Sequence, residues 1–289
     1  MHELFLIPPT FETMTAAVKR NVHTESLLHY EVDHFVLDSY ALDRAVLVDV
    51  YRPQLQAGMQ PSLLLVNDGQ DLPKMPFAPI IDGLYTAGKI RPLMVVAMHC
   101  SEERKLEYGT ADILDYMSRG SRARYHRKFV LDELIPYIRQ EYFLPVIQQI
   151  GYAGFSLGGL SALDVVWKHP EIFNVAGVFS GSLWWRLKDL NDGYEESTDR
   201  IMHKLVREGK YADNLRFFFE TGTQDETMDR NNNGIIDSID DTLDLIQELE
   251  NKGYDREQHI RYLELQDGRH DVPTWALAFP DFLTWGWGK

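Results

Sequence analysis

Ser156 lies in the pattern Gly154-Phe155-Ser156-Leu157-Gly158, where a serine hydroxyl could act as a nucleophile. The pattern follows an apolar run typical of a strand and opens a run with helical spacing, which is the context of a nucleophile elbow. Glycine at both ends indicates a turn too tight for side chains. A serine presented there can attack a carbonyl carbon and form an acyl-enzyme. The alternative is an incidental serine in a glycine-rich strand-to-helix turn.

A serine nucleophile also requires a general base and an acid that orients the base, placed after later strands in the order serine, acid, histidine. His270 lies in a glycine-containing loop directly after the last predicted strand, so it is the predicted base. Asp225 follows the strand before that one and is the favoured acid. Glu226 and Asp271 are the alternative acids.

Two backbone N–H groups must stabilise the negative charge that develops on the substrate oxygen. One is expected from Leu157, directly after the nucleophile, and the other from the loop 67–71 after an early strand. Within that loop the N–H of Gln70 is favoured, with Gly69 allowing close approach.

Short apolar runs that alternate with helical patterns must position these residues. Such alternation predicts an α/β fold with a mostly parallel central sheet and helices on both faces. Together with the nucleophile elbow, it indicates the α/β-hydrolase fold. Helices are predicted at 125–142, kinked at Pro136, at 160–168, and at 242–252 with Asp240 or Asp241 as cap. Strands are predicted at 26–36 on an antiparallel edge, and at 45–51, 62–66, 92–98, 146–153, 175–180, 215–220 and 260–265.

Composition excludes several classes of protein. The net charge of −15 argues against a nucleic-acid partner, and the single cysteine excludes an internal disulfide. No apolar stretch is long enough to span a membrane, and the N-terminus lacks the pattern of an export signal. The chain of 289 residues is therefore expected to be a single domain, cytoplasmic as written, or periplasmic or secreted if a signal was removed. Its oligomeric state is left open.

Residues 225–250 carry nine acidic side chains and one basic side chain, and they contain a 12-residue pattern typical of an EF-hand calcium loop. Glycine stands at position 6, where such a loop bends. A structural calcium ion is predicted to brace the loop that holds Asp225, and no cofactor is expected for the chemistry. A polar turn without metal is the alternative. The predicted ligands are Asp229, Asn231, Asn233, the Ile235 carbonyl, Asp237 and Asp240.

With these residues placed, the chain from about Tyr40 onward resembles the esterase D family of α/β-hydrolases. That family includes feruloyl, acetyl-xylan and siderophore esterases, S-formylglutathione hydrolases and mycolyltransferases. The resemblance implies that Ser156, Asp225 and His270 fall on the family's triad positions, and that Trp184 and Trp185 lie near its substrate cleft. The matching segments are 67–70, 132–137, 154–159, 179–185, 222–225 and 268–271 with Trp275.

The sequence thus predicts a serine esterase acting on small-molecule acyl esters of sugars or similar alcohols. An acyltransferase would use the same acyl-enzyme with an alcohol in place of water. A non-catalytic binding protein on a hydrolase scaffold is the alternative from a different class, and the presence of all three polar residues argues against it.

Overall fold

The computed structural model describes residues 18–55 and 58–289, without the side chains of 18–23. The predicted lack of an export signal concerns N-terminal residues outside this range. Within the described residues, nine strands form one sheet. They are β1 Val18–Ser26, β2 Tyr30–Ser39, β3 Arg44–Pro53, β4 Ser62–Val66, β5 Leu93–Met98, β6 Ile150–Phe155, β7 Val175–Phe179, β8 Arg216–Gln224 and β9 Ile260–Arg269.

The strand order across the sheet is β1-β2-β3-β5-β4-β6-β7-β8-β9. The first three strands and β5 pair antiparallel, whereas β5, β4, β6, β7, β8 and β9 run parallel. The predicted mostly parallel α/β sheet with an antiparallel edge is confirmed. One sheet connects all nine strands, as a single domain requires, and the single-domain organisation of the whole chain stays a prediction.

Helices connect the parallel strands, because parallel neighbours need a crossover. A short 3-10 helix, Gly69–Lys74, follows β4, and a π-helical segment, Phe129–Leu134, joins the two α-helices on either side of it. The α-helices are α1 Phe77–Thr86, α2 Arg104–Glu107, α3 Ala123–Lys128, α4 Ile135–Glu141, α5 Leu157–Lys168, α6 Glu196–Asp199, α7 Ile201–Glu208, α8 Asp237–Lys252 and α9 Val272–Trp287.

The sheet is covered on both faces by apolar clusters. Leu63 and Leu65 of β4 pack in one cluster with residues of α5, α7 and α8. Leu64 and Val66, which alternate with them, pack in the other cluster with residues of α1 and α9. Burial on both faces explains why this strand is continuously apolar, and why its predicted range coincides with the observed one.

Several strand and helix boundaries differ from prediction, and two of the differences have a physical reason. The strand predicted at 146–153 begins only at Ile150, because the apolar Val146 is 62% exposed in the preceding loop. The helix predicted at 242–252 begins at Asp237 after Ile236 as N-cap, so the prediction of Asp240 or Asp241 as cap is wrong. Asp241 is instead buried one turn into the helix, where it binds arginines.

The long helix predicted at 125–142 is irregular, but Pro136 does not interrupt it. The helix widens over Phe129–Leu134, and Pro136 lies in the first turn of α4, where proline is tolerated. The C-terminal helix α9 was not predicted, because Pro273 and Pro280 and its dense aromatic residues conceal the helical spacing. Within the described ranges, no helix has the length and apolar character needed to cross a membrane.

Candidate functional site

Ser156 occupies the sharp turn between β6 and α5. Its backbone adopts φ 53° and ψ −120°, a conformation that L-residues rarely adopt. The Ser156 N–H donates to the carbonyl of Phe179 at 2.9 Å, which anchors the turn to the end of β7. The side chain is partly exposed although its neighbours on both sides are buried. The turn therefore presents one hydroxyl at the carboxyl edge of the sheet.

The glycines around Ser156 are required by close contacts. A methyl group on Gly154 would lie 2.4 Å from the carbonyl carbon of Gly158, and one on Gly158 would lie 2.6 Å from Oδ2 of Asp68. A side chain at Gly154 would force the helix away from the strand, and one at Gly158 would force it away from the loop after β4. The tight turn inferred from the sequence thus has a specific steric cause, and the same packing brings the loop after β4 beside Ser156.

The two predicted N–H donors lie at the starts of helices. Leu157 is the first residue of α5, and Gln70 is the second residue of the 3-10 helix. The first N–H groups of a helix have no partner within it, so both are positioned to receive a ligand oxygen. The Asn67 side chain joins the two loops by donating to the Gly158 carbonyl at 2.8 Å. Both residues stay predictions as oxyanion donors.

An ion pair not predicted from the sequence supports this loop. Arg104 donates to both carboxylate oxygens of Asp68 at 2.7 Å, and to the Phe155 carbonyl at 3.1 Å. The Gln70 side chain adds two contacts to Cys100, accepting from its N–H at 3.1 Å and donating to its Sγ at 3.2 Å. The loop is therefore fixed both to the serine turn and to the end of β5.

His270 lies in the turn between β9 and α9, with one side open to solvent. Its ring meets that of Trp275 edge-on, with 5.5 Å between centroids. Partial burial lowers the pKa of His270, the negative charge of Asp225 opposes this, and Arg104 adds to the lowering. A depressed pKa keeps the imidazole neutral near pH 7, which is the state that a general base requires.

Asp225 lies just beyond β8 and is partly buried. Burial raises the pKa of Asp225, whereas a hydrogen bond from Ser180 and the charge of His270 lower it. The Ser180 hydroxyl donates to Oδ1 of Asp225 at 3.1 Å. Within the described ranges, no hydrogen bond joins His270 to Asp225 or to Ser156. Such bonds are often long in sites without substrate, so the assignment of Ser156, Asp225 and His270 as a triad stays a prediction.

The two alternative acids are occupied by other partners. Asp271 caps α9 by accepting from the N–H of Thr274 at 3.0 Å and from its hydroxyl at 2.8 Å. Burial and the charge of Asp237 raise the pKa of Glu226, and a hydrogen bond from the backbone of Ser238 lowers it. Both partners lie on the side of the predicted calcium loop. The surroundings of His270 therefore favour Asp225 as its partner.

Two further serines lie next to the predicted residues. Oγ of Ser182 is 3.3 Å from Oγ of Ser156, and the Ser182 N–H donates to the Ser156 carbonyl at 3.1 Å. Ser180 receives a hydrogen bond from Nε1 of Trp275 at 2.9 Å. Both serines belong to the segment 179–185, which the sequence analysis used only as part of the family resemblance. Because β7 lies next to β6 in the sheet, this segment lies beside the nucleophile turn.

The two predicted cleft tryptophans differ in access. Trp185 is fully buried and donates from Nε1 to the Thr110 hydroxyl at 3.1 Å. Trp184 is partly exposed, and the Arg119 guanidinium lies 4.8 Å from its ring centroid. The ring of Trp184 is therefore accessible to solvent, whereas that of Trp185 lies in the core. The place of both residues near a substrate cleft stays a prediction.

The predicted calcium loop bends at Gly234, which has φ +88°. Asp240 Oδ2 accepts from the side-chain amides of Asn231 at 2.9 Å and Asn233 at 2.7 Å. The two carboxylate oxygens of Asp229 accept from the N–H groups of Asn233 and Gly234. Four of the predicted ligand side chains thus converge, and the oxygens they carry are those a hard cation prefers.

The other predicted ligands are placed differently. Oδ1 of Asp237 accepts from the Arg230 N–H at 2.9 Å and lies 3.2 Å from its guanidinium. Ile235 is exposed, and its N–H donates to the Asn233 side chain. Among the described residues, no three Asp, Glu, His or Cys side chains are grouped as a metal site, so the three aspartates of the loop are not brought together. The loop fits a cation in part, and the calcium ion stays a prediction.

Comparison with curated proteins gives two partial matches. The chain is 24% identical over 161 residues to "Uncharacterized protein YbbA" of Bacillus subtilis strain 168, covering 55% of this chain and 58% of that protein. It is 30% identical over 107 residues to "Endo-1,4-beta-xylanase/feruloyl esterase" of Xylanibacter ruminicola, covering 36% of this chain and 14% of that protein. The chain thus spans little more than half of one relative and a small part of the other.

Solved structures share the fold. The enterobactin esterase FES of Shigella flexneri superposes with a TM-score of 0.67 at 20% identity, covering 88% of this chain and 57% of that one. A ferulic acid esterase gives a TM-score of 0.62 at 18% identity, covering 89% and 97%. Siderophore hydrolase EstB of Aspergillus nidulans gives 0.61 at 16% identity, covering 90% and 96%. Identities this low establish the α/β-hydrolase fold alone.

The family itself is established by a match over most of the chain. The model of the family described as "Putative esterase" matches residues 39–285. This range includes the whole of β3 to β9 and contains Ser156, Asp225 and His270. The chain therefore belongs to the Putative esterase family of α/β-hydrolases.

Proposed function

We propose that this protein hydrolyses carboxylic esters through an acyl-enzyme on Ser156. The observation that carries the proposal is the strained turn at Ser156, which presents a hydroxyl between β6 and the start of α5. Backbone strain of this kind persists where the surrounding structure enforces it, and it clusters at active sites. Membership of an esterase family supports the same chemistry.

His270 would act as general base. It takes the proton of the Ser156 hydroxyl while Oγ bonds to the ester carbonyl carbon, and the proton then passes to the departing alkoxide as the ester C–O bond breaks. Asp225 would orient the ring and stabilise the transient imidazolium. Movement of His270 toward Asp225 on substrate binding would form the hydrogen bond between them. Asp225 is already near enough for its charge to raise the pKa of His270.

The N–H groups of Leu157 and Gln70 would stabilise the oxyanion of each tetrahedral intermediate. Water activated by His270 then attacks the acyl carbon, the bond to Oγ breaks, and Ser156 regains its proton. The loop that carries Gln70 is held by Arg104 and Asp68, so its donor need not reorganise during the reaction. Fixed donors of this type supply much of the rate enhancement in acyl transfer.

The substrate we propose is a small-molecule acyl ester of a sugar or a similar alcohol. One partial relative is named a xylanase and feruloyl esterase, and two solved structures with this fold are named for siderophore or ferulic acid ester cleavage. Trp184 would offer an aromatic surface to the acyl group, with Arg119 on its ring. An aromatic acyl ester is therefore the first choice within this class.

The experiment is hydrolysis of a panel of esters by wild type and Ser156→Ala. The panel holds p-nitrophenyl, feruloyl, acetylated-sugar and S-formylglutathione esters, each with and without an acceptor alcohol. We expect wild type to cleave at least one ester and Ser156→Ala to lose activity by several orders of magnitude. Transfer to the alcohol at the expense of hydrolysis would identify an acyltransferase. Cleavage of none of the panel, with no acyl-enzyme detected, would favour the non-catalytic alternative.

We also propose that the loop 229–240 binds calcium and acts on stability rather than on the reaction. The convergence of Asp229, Asn231, Asn233 and Asp240 supports this proposal. Their oxygens would surround the ion, and neutralising two carboxylates would tighten the connection between Asp225 and α8. Magnesium would substitute poorly, because it resists dehydration into a large and flexible shell.

A further inference from the structure

Glu220 is a buried carboxyl group that the proposed reaction does not use. It lies in the middle of β8, directly opposite Phe179 at the end of β7, and is 1% exposed. Neither of its carboxyl oxygens has a hydrogen-bond partner in the part of the chain that the structure describes, and Oδ2 of the nearby Asp225 also has none. Buried polar atoms are rarely left unpaired, so each needs an explanation.

Ser180 contacts both residues: it is hydrogen-bonded to Asp225 and to the main chain of Glu220, and it lowers the pKa of the Glu220 carboxyl. Its N–H donates to the Glu220 carbonyl at 2.8 Å, and its hydroxyl donates to Oδ1 of Asp225 at 3.1 Å. Trp275 Nε1 donates to the same hydroxyl at 2.9 Å. A hydroxyl has one proton and two acceptor positions, so Ser180 has one acceptor position left and no second proton.

The charge on Glu220 decides how this hydroxyl is shared. As a carboxylate, Glu220 could only compete with Asp225 for the single proton of Ser180. As a neutral carboxylic acid, it can instead donate to the remaining acceptor position of Ser180. The second arrangement satisfies Ser180 fully and directs its proton to Asp225.

The surroundings favour the neutral form. Burial and the negative charges of Asp225 and Asp271 together raise the pKa of Glu220 to about 8, against the opposing effect of Ser180. The titratable groups that face it are Asp225 in the loop after β8, Asp271 and His270 at the start of α9, and Tyr262 on β9. The carboxylates among them repel a second negative charge.

We propose that Glu220 is a positioning residue that works as a neutral acid: it donates to Ser180 and so directs the Ser180 hydroxyl to Asp225. This inference rests on the proposed function, since it presumes that Asp225 orients His270. Ionisation of Glu220 would draw the Ser180 proton away from Asp225. Asp225 would then lose its fixed position, and the catalytic rate would fall on the alkaline side.

The test compares the pH dependence of kcat/KM between pH 6 and 10 in matched variants. Glu220→Gln keeps a neutral donor that cannot ionise, Glu220→Met removes the donor, and Glu264→Gln removes one carboxylate from an exposed position on β9. Wild type and Glu264→Gln should decline with an apparent pKa near 8. Glu220→Gln should retain activity through that range, and Glu220→Met should lose about tenfold or more at every pH.

A second measurement requires no variant to fold. In wild-type protein labelled with carbon-13 at glutamate carboxyls, one signal should titrate with a midpoint near pH 8, far above the usual pKa of glutamate. The inference is wrong if no glutamate titrates above about pH 6.5, or if Glu220→Gln declines with the same alkaline midpoint as wild type. Loss of the proposed function would show itself separately, as ester cleavage that survives Ser156→Ala.

Discussion

Arg104 binds both carboxylate oxygens of Asp68 and, through the same guanidinium, the carbonyl of Phe155. Phe155 precedes the proposed nucleophile, and Asp68 begins the loop that carries the proposed oxyanion donor. One side chain therefore sets the distance between two parts of the site that come from distant positions in the sequence.

Replacement of Arg104 by Met should lower both stability and activity. Asp68 is 1% exposed, and removing one partner of a buried ion pair costs about 3–5 kcal/mol, because the other charge is left unpaired. Arg104→Met with Asp68→Asn should recover part of the melting temperature, since the unpaired charge is gone. A double variant no more stable than Arg104→Met in urea titration would contradict this view of the pair.

Gly158→Ala should disrupt the nucleophile turn. The added methyl group would lie 2.6 Å from Oδ2 of Asp68, and overpacking of this kind costs about 1–3 kcal/mol. A displacement of the turn by about 1 Å can cost about 100-fold in rate. Gly83→Ala is the matched control, because nothing lies within 4 Å of its added methyl group on α1. Equal loss of activity in both variants would show that the contact with Asp68 does not matter.

Asp225→Asn should lower kcat by about 10³–10⁴-fold while the protein keeps its melting temperature within a few degrees. The amide cannot stabilise the His270 imidazolium and offers the ring a donor in place of an acceptor. Glu226→Gln serves as the neighbouring control and should retain activity within a few-fold. If Glu226→Gln proves the more damaging change in steady-state kinetics, then Glu226 is the acid.

Chelation should lower the melting temperature if calcium occupies the loop 229–240. An ion that binds only the folded state stabilises by about 2.7 kcal/mol at a hundred times its Kd. Added calcium should restore the melting temperature and magnesium should not. Asp229→Ala should melt like the chelated protein, whereas Asp132→Ala, at an exposed helical position, should respond to chelator like wild type. A melting curve unchanged by excess chelator would leave the loop as a polar turn.

The sequence predicts those features that depend on local pattern. The strand 62–66 and the tight turn at Ser156 follow from continuous burial and from glycine spacing, both of which are visible in a few residues. Glu220, in contrast, ends the run Phe217-Phe218-Phe219 and reads as the last residue of a buried strand. Its polar neighbours Ser180 and Asp225 become adjacent to it only through the sheet order and the chain turn after β8.

Helix boundaries are missed for a similar reason. Asp241 reads as a cap because short acidic residues favour that position, but it accepts hydrogen bonds from Arg200 at 2.8 Å and Arg230 at 2.6 Å. These ion pairs with Arg200 and Arg230 outweigh the local capping preference of an aspartate. No pattern among the neighbouring residues predicts them.

The most direct test of the account is covalent labelling with a fluorophosphonate, followed by peptide mapping of the adduct. An activated serine attacks phosphorus as it attacks a carbonyl carbon, so we expect one adduct per chain, on Ser156, and none in Ser156→Ala. His270→Ala should slow labelling strongly at pH 7, because the hydroxyl then has no base to accept its proton. An adduct on Ser182 or Ser180, or the absence of any adduct on folded protein that cleaves an ester, would contradict the assignment of Ser156 as nucleophile.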